Sequence, residues 1–234
     1  MCGFLININR DDILKINSRY RSKVLSIFEP LPGFLSKHEK RVVLNKIAVG
    51  STIDQYSDTF FWLGNSMICN ECFLTRDPNI GLALNEDRSY IKCYMGDTGL
   101  LVSHAFDENS LTDSELYRQI IGDKLSLNEG MLYENTIAQM LTAKGHKLYF
   151  YTHYNKVKRR NDIEIDFIIS NNNKLKYKIY LIEVKSTKKY SITSLERFKE
   201  KFGSKIGECY VIHPKNLCVK DGITYLPAYM TMCL

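Results

Sequence analysis

The sequence predicts a two-domain α/β protein, an N-terminal domain of winged-helix plan followed by a domain built on a mixed sheet. Three observations lead there. The first 95 residues carry three helix-like patterns and then two strand-like ones. The second half alternates helix and strand in the order α-β-β-β-α-β. At 234 residues the chain suits one large domain or two small ones.

Residues 11–29 read as a helix with an acidic start (Asp11, Asp12) and a proline stop (Pro30, Pro32). A second helix is expected over Leu35–Ile47, ending near Gly50. A third follows Ser51 or Asp54 as cap and carries Phe60, Phe61, Trp62 and Leu63, which read as core. Met67–Leu74 and Tyr90–Met95 are expected strands, joined through Pro78, Asn79 and Gly81. A DNA-reading helix in this plan carries cations, whereas Asp54–Thr59 is acidic, so this domain is expected to pack or bind a partner. The domain boundary is placed at 95/96. After a polar connection (107–114) and a short helix through Ile121, a helix is expected over 128–144. Strands follow at 147–152, 163–170 and 179–184, then a helix at 194–202 and a strand at 209–213. Asn171-Asn172-Asn173-Lys174 is the expected turn of a hairpin.

Composition excludes several classes. With 44% hydrophobic and 25% charged residues, no stretch approaches the roughly 18 consecutive apolar residues of a membrane span. The first ten residues lack a basic leader with a long apolar run, so a cytoplasmic location is expected. Seven scattered cysteines are expected to be reduced thiols, and Cys69 and Cys72 have no second pair nearby to complete a zinc site. The five histidines accompany no nucleophile elbow, and none is assigned to a site. The net charge of +6 is unevenly spread: residues 144–205 hold 16 Lys/Arg against 6 Asp/Glu, and the rest 16 against 20. Such a local excess suits a polyanion, because cations on a phosphate backbone release condensed counterions.

The chemistry centres on two strands. Alternation in Asp162–Ile169 puts Ile163, Ile165 and Phe167 on one side and Glu164 and Asp166 on the other. The same parity groups Glu183 with Lys185. If the strands pair as a hairpin, Asp166 and Glu183 share a sheet face, and two acidic oxygens there suit magnesium. Lys185 would polarise an attacking hydroxide or stabilise charge on a phosphate. An edge-strand salt-bridge ladder is the plainer alternative. Helix phase puts Glu134 with Gly130, Ile137, Ala138 and Leu141 on the face toward the sheet, where a carboxylate needs a cation or metal. A first-turn Glu favoured by the helix dipole is the alternative there.

Glu134, Asp166 and Glu183-Val184-Lys185 resemble the PD-(D/E)XK nuclease superfamily in order and spacing. Residues 90–202 are similar to the nuclease-like C-terminal domain that follows the ATPase module of many prokaryotic AAA-type ATPases. The similarity runs through Lys92–Leu101, Gly130–Asn135, Tyr149-Phe150-Tyr151, Glu164–Phe167 and Ile182–Lys185. Residues 11–90 resemble the winged-helix segment between those modules. The resemblance implies a restriction-endonuclease-like second domain, with Asp166 and Glu183 holding magnesium or manganese, Lys185 as catalytic lysine and Glu134 as accessory carboxylate. It implies a hydrolase acting on nucleic acid, DNA in the first instance. Lys156, Lys158, Arg159, Arg160, Lys188 and Lys189 are the expected phosphate contacts. No Gly-x-x-x-x-Gly-Lys-Ser/Thr loop occurs, so this chain has no ATP site of the P-loop kind and an ATPase would be a separate partner chain. The chain then reads as a fragment, a split partner or a degenerate copy. A homo-oligomer is compatible with this reading. The alternative function is a non-catalytic nucleic-acid- or protein-binding module that retains the nuclease fold and works with a separate ATPase.

Overall fold

In a computed structural model the described residues are 11, 13–79, 81–106, 128–170 and 178–234. The polar connection, the short helix through Ile121 and the Asn171–Lys174 turn lie outside them. The helices are α1 (Ser18–Phe28), α2 (Leu31–Leu35), α3 (Ser57–Asn65), α4 (Thr98–Ala105), α5 (Glu129–Ala143) and α6 (Thr193–Phe202). The strands are β1 (Cys69–Thr75), β2 (Glu86–Met95), β3 (Leu148–Asn155), β4 (Arg160–Ser170), β5 (Ile179–Val184), β6 (Ile206–His213), β7 (Cys218–Lys220) and β8 (Ile223–Pro227). Among them no helix is long and apolar enough to cross a membrane.

The eight strands form one mixed sheet in the order β2-β1-β3-β4-β5-β6-β8-β7. β1 and β3 are parallel, β3-β4-β5 antiparallel, β5-β6-β8 parallel, and β7 antiparallel to β8. The two strands expected to form a wing are thus the first two of this sheet. The chain divides into two compact units, Met1–Glu71 with Lys92–Gln139, and Cys72–Ile91 with Met140–Leu234. The 95/96 position falls inside the first unit.

In the first unit, Pro30 and Pro32 end α1 and immediately open α2, where proline is tolerated because first-turn N–H groups have no intrahelical partner. The helix expected over Leu35–Ile47 is absent. Lys40 has a positive φ of 50°, and only a single 3-10 turn, Leu44–Lys46, is helical. Val42 and Val43, β-branched and poor helix formers, are two of its five apolar residues. In α3, Phe60 and Leu63 are buried, but Phe61 is 69% exposed. A lone exposed aromatic is not separable from core by composition.

The segment from Lys92 to Leu101 and one face of α5 are tied together residue by residue. Asn135 grips the Met95 backbone from both sides, its Oδ1 accepting from Met95 N at 2.8 Å and its Nδ2 donating to Met95 O at 3.1 Å. Gln139 Oε1 accepts from Thr98 N and Thr98 Oγ1. Asp97 caps α4 through Leu100 N at 2.8 Å. Gly96 sits against the chain entering β1: its N–H donates to Ile68 O, and a Cβ there would lie 2.1 Å from Met67 O. Asn128 Oδ1 accepts from Met131 N to start α5, and Gly145, with φ of 86°, follows its end.

From Glu129 onward the order helix, three strands, helix, strand is as expected, and β7, β8 and a terminal 3-10 turn (Ala228–Cys233) add to it. The register between β3 and β4 shifts along the pair. Tyr149 pairs with Ile168 but Tyr151 pairs with Ile165, so three steps along β4 oppose two along β3. This is a bulge at Asp166-Phe167, and it puts Ile165 and Ile168 on one face. From Ile163 to Phe167 the burial still alternates, with Ile163, Ile165 and Phe167 buried and Glu164 and Asp166 half-buried. The six described cysteines are free thiols, with Cys69 and Cys72 buried in β1.

Candidate functional site

Glu183 lies in the middle of the sheet, on β5 between β4 and β6, and is 1% exposed. Its neighbours Leu181 and Ile182 are fully buried, so the strand carries the carboxylate inward for the reason it carries leucine inward, its place in an alternating run. Lys185 Nζ stands 2.6 Å from Glu183 Oε2 as an ion pair, while neither carboxylate oxygen accepts a directed hydrogen bond. Burial pushes the Glu183 carboxyl up to about 7. Lys185 opposes the shift, and Asp166 and Glu164 add to it by like-charge repulsion.

The bulge aims Asp166 at β5. Its Oδ2 accepts the Val184 N–H at 2.8 Å, a side chain standing where a ladder carbonyl would in an unbroken pair. Lys185 N donates to Ile212 O at 2.8 Å, which fixes the backbone between Glu183 and Lys185 against β6. Three of the four sequence-expected site residues, Asp166, Glu183 and Lys185, are thus neighbours in the second unit, and Glu164 joins them electrostatically.

Glu134 is in the first unit and has its own company. It is 3% exposed, with Lys40 Nζ at 2.6 Å from Oε2 and Lys92 Nζ at 3.5 Å from Oε1, and Tyr94 Oη donates to Oε1. Burial would raise its pKa. Lys92 and then Lys40 outweigh burial and hold the carboxyl down at about 2. Glu134 in turn explains why Lys92, itself 1% exposed, stands in an otherwise apolar strand.

Of the six expected phosphate contacts, Lys156, Lys158, Arg159 and Arg160 form the exposed tip of the β3-β4 hairpin, and Lys188 and Lys189 are exposed after β5. Asn155 shapes the tip by accepting from the N–H of Val157 and of Lys158, and Arg159 takes a positive φ of 49°. At the base of that hairpin Asp162 accepts from Asn155 and pairs with His153 Nδ1 at 2.7 Å, which lowers its pKa to about 2.

Among the described residues no three His, Cys, Asp or Glu stand together as a metal cage. Asp166 and Glu183 offer two hard oxygen donors, and the Glu183 oxygens without directed hydrogen bonds are what such a site requires. Magnesium takes few protein ligands and keeps several waters, so the pair fits it.

Residues 129–230 match a family described as Domain of unknown function (DUF4143). The DUF4143 match runs from the start of α5 into the terminal 3-10 turn and contains Glu134, Asp166, Glu183 and Lys185. It covers less than half of the chain. No curated protein and no solved structure matches.

Several residues near the site carried no sequence signal. Tyr190, His213, Lys215, Lys220 and Tyr225 line a cavity with Lys188 and Lys189. They come from three separate stretches, and only the parallel pairing of β5, β6 and β8 assembles them. Glu164 was visible as a charge in an apolar strand, but its electrostatic pressure on Glu183 was not.

Proposed function

We propose that the second unit is a metal-dependent nuclease-like module acting on or binding DNA, with Asp166 and Glu183 as the metal ligands and Lys185 as the catalytic lysine. One observation carries this reading. A carboxylate that is 1% exposed, with no directed hydrogen bond to either oxygen, lies between a lysine and a second carboxylate, and a strand bulge aims that second one. Such an arrangement is costly for stability alone, and bulges and perturbed carboxyls gather at functional sites. A divalent cation held there supplies Lewis-acid polarisation of a phosphodiester oxygen and a more acidic bound water.

The chain's own groups have separable tasks. Glu183, whose carboxyl burial pushes up to about 7, would hold a cation as its carboxylate. Lys185, released from that carboxylate, can stabilise charge developing on a phosphate. The exposed cations at 156–160 and 188–189 supply counter-charge for the backbone. Glu134, tied to Lys40 and Lys92, supports the fold through α5 and β2 and has the accessory role only by resemblance. In the AAA-type ATPases that the sequence resembles, such a domain follows an ATPase module, and these 234 residues hold no P-loop motif themselves.

The Lys185–Glu183 ion pair itself favours the second reading, a nuclease-fold module that binds without cutting, because it balances the buried charge with no metal. Supercoiled plasmid with magnesium or manganese separates the two. Nicking by wild type and none by Asp166→Ala supports cleavage; absence of nicking by wild type, or equal nicking by the variant, leaves only binding.

A further inference from the structure

The carboxyl ends of the three parallel strands β5, β6 and β8 open onto a cavity of about 520 Å³, within the range of small-ligand sites. In open sheets ligands collect at such strand ends, where the loops leave the sheet. Four lysines line it, Lys188 and Lys189 from the loop after β5, Lys215 after β6 and Lys220 at the end of β7, and among the described residues no acidic one does. Two tyrosines, Tyr190 and Tyr225, supply aromatic walls, and each is half-buried.

The aromatic part is fixed from below. His213, 2% exposed, meets the Tyr190 hydroxyl through Nδ1 at 2.6 Å and the Asn216 carbonyl through Nε2 at 3.2 Å. A ring nitrogen facing a carbonyl must carry the proton, so Nδ1 accepts from Tyr190 Oη. The His213 ring lies 5.5 Å from the ring of Tyr225, and Lys215 Nζ lies 5.5 Å from the ring centre of Tyr190. Continuity with the carboxylate site follows from the chain: Tyr190 comes five positions after Lys185.

The geometry points to a binding pocket for one unpaired nucleotide of a single-stranded nucleic acid, its phosphate met by Lys188, Lys189, Lys215 and Lys220 and its base by the Tyr190 and Tyr225 rings. Cationic grooves interleaved with aromatic platforms are how single strands are held without sequence preference, because every base has a π-face. This deepens the nucleic-acid reading of the same unit and rests on it. It is independent of cleavage, since none of the pocket residues is a metal ligand.

The test is anisotropy of a labelled single-stranded oligonucleotide, and of the same sequence as a blunt duplex, with the full chain in EDTA. Wild type is expected to bind the single strand more tightly than the duplex. Lys215→Gln with Lys220→Gln, both exposed positions, is expected to weaken single-strand binding about tenfold. It should also flatten the salt dependence by up to about 0.7 in log–log slope, the value for one phosphate no longer neutralised. Tyr190→Leu is expected to weaken binding about tenfold and Tyr190→Phe to restore it, which a purely structural role of the hydroxyl would not do. Equal binding by the double-lysine variant, preference for the duplex, or no binding of the single strand by wild type overturns the inference. Plasmid nicking is read separately, so loss of cleavage with retained single-strand binding fails the nuclease reading alone.

Discussion

Asp166 Oδ2 takes the Val184 N–H at 2.8 Å, so two strands that pair backbone to backbone from Phe167–Ile182 to Ser170–Ile179 are joined next by a side chain. The Asp166 carboxylate is therefore held beside Glu183 by a main-chain donor, independently of any cation.

The folded-state pKa of Glu183 is raised from 4.5 to about 7. Between those values the folded chain holds a proton that the unfolded chain has lost, so stability falls as pH rises through this window and stays reduced above it. Glu183→Gln removes that cost. It is expected to be near neutral at pH 5 and to stabilise by about 1–3 kcal/mol at pH 8, read by thermal unfolding at both pH values.

Magnesium or manganese bound to Asp166 and Glu183 would act in the opposite direction at pH 8. Added at 100 times its dissociation constant, the cation is expected to raise wild-type stability by about 2.7 kcal/mol, and to leave Asp166→Ala and Glu183→Gln where they were. Equal shifts in all three proteins would place the metal elsewhere.

Glu134 has the reverse sign. Its folded pKa is depressed from 4.5 to about 2, so its contribution is present above pH 4.5 and is lost as pH falls through that value toward 2. Glu134→Ala leaves Lys92 buried without its carboxylate and is expected to cost about 3–5 kcal/mol at pH 7 in urea unfolding. Glu134→Leu combined with Lys92→Met should recover much of that loss, since apolar replacement of a whole buried pair is often neutral.

Gly96→Ala must move the backbone, because its Cβ would meet Met67 O at 2.1 Å. A loss of about 2 kcal/mol or more is expected in urea unfolding, with the change at Gly33, where a Cβ meets nothing within 4 Å, as the mild comparison.

The second half of the fold was legible because its strands are continuous apolar runs and its helices have clear periodicity. Asp166, Glu183 and Lys185 stood out as charges inside such runs, and the structure places them together. What misled was local. Alternation is only a counting rule: it holds from Ile163 to Phe167, and the shift against β3 beyond them leaves no compositional mark. The Leu35–Ile47 pattern looked helical by spacing, while the valines and the left-handed Lys40 decide otherwise. Glu134 does lie on a buried face, but its partners Lys40 and Lys92 are 94 and 42 residues earlier in the chain, beyond the reach of any spacing argument. The pocket around His213 was invisible for the same reason.

The bulge in β4 also works as a phase shift. On one side of it the strand keeps time with Tyr149, on the other with Tyr151, and three steps along β4 span what two span along β3. Removing one residue from that interval would put the halves in step and turn every side chain on one side of it to the opposite face of the sheet. The number of residues there is thus under a stricter constraint than the identity of any one of them, Asp166 excepted.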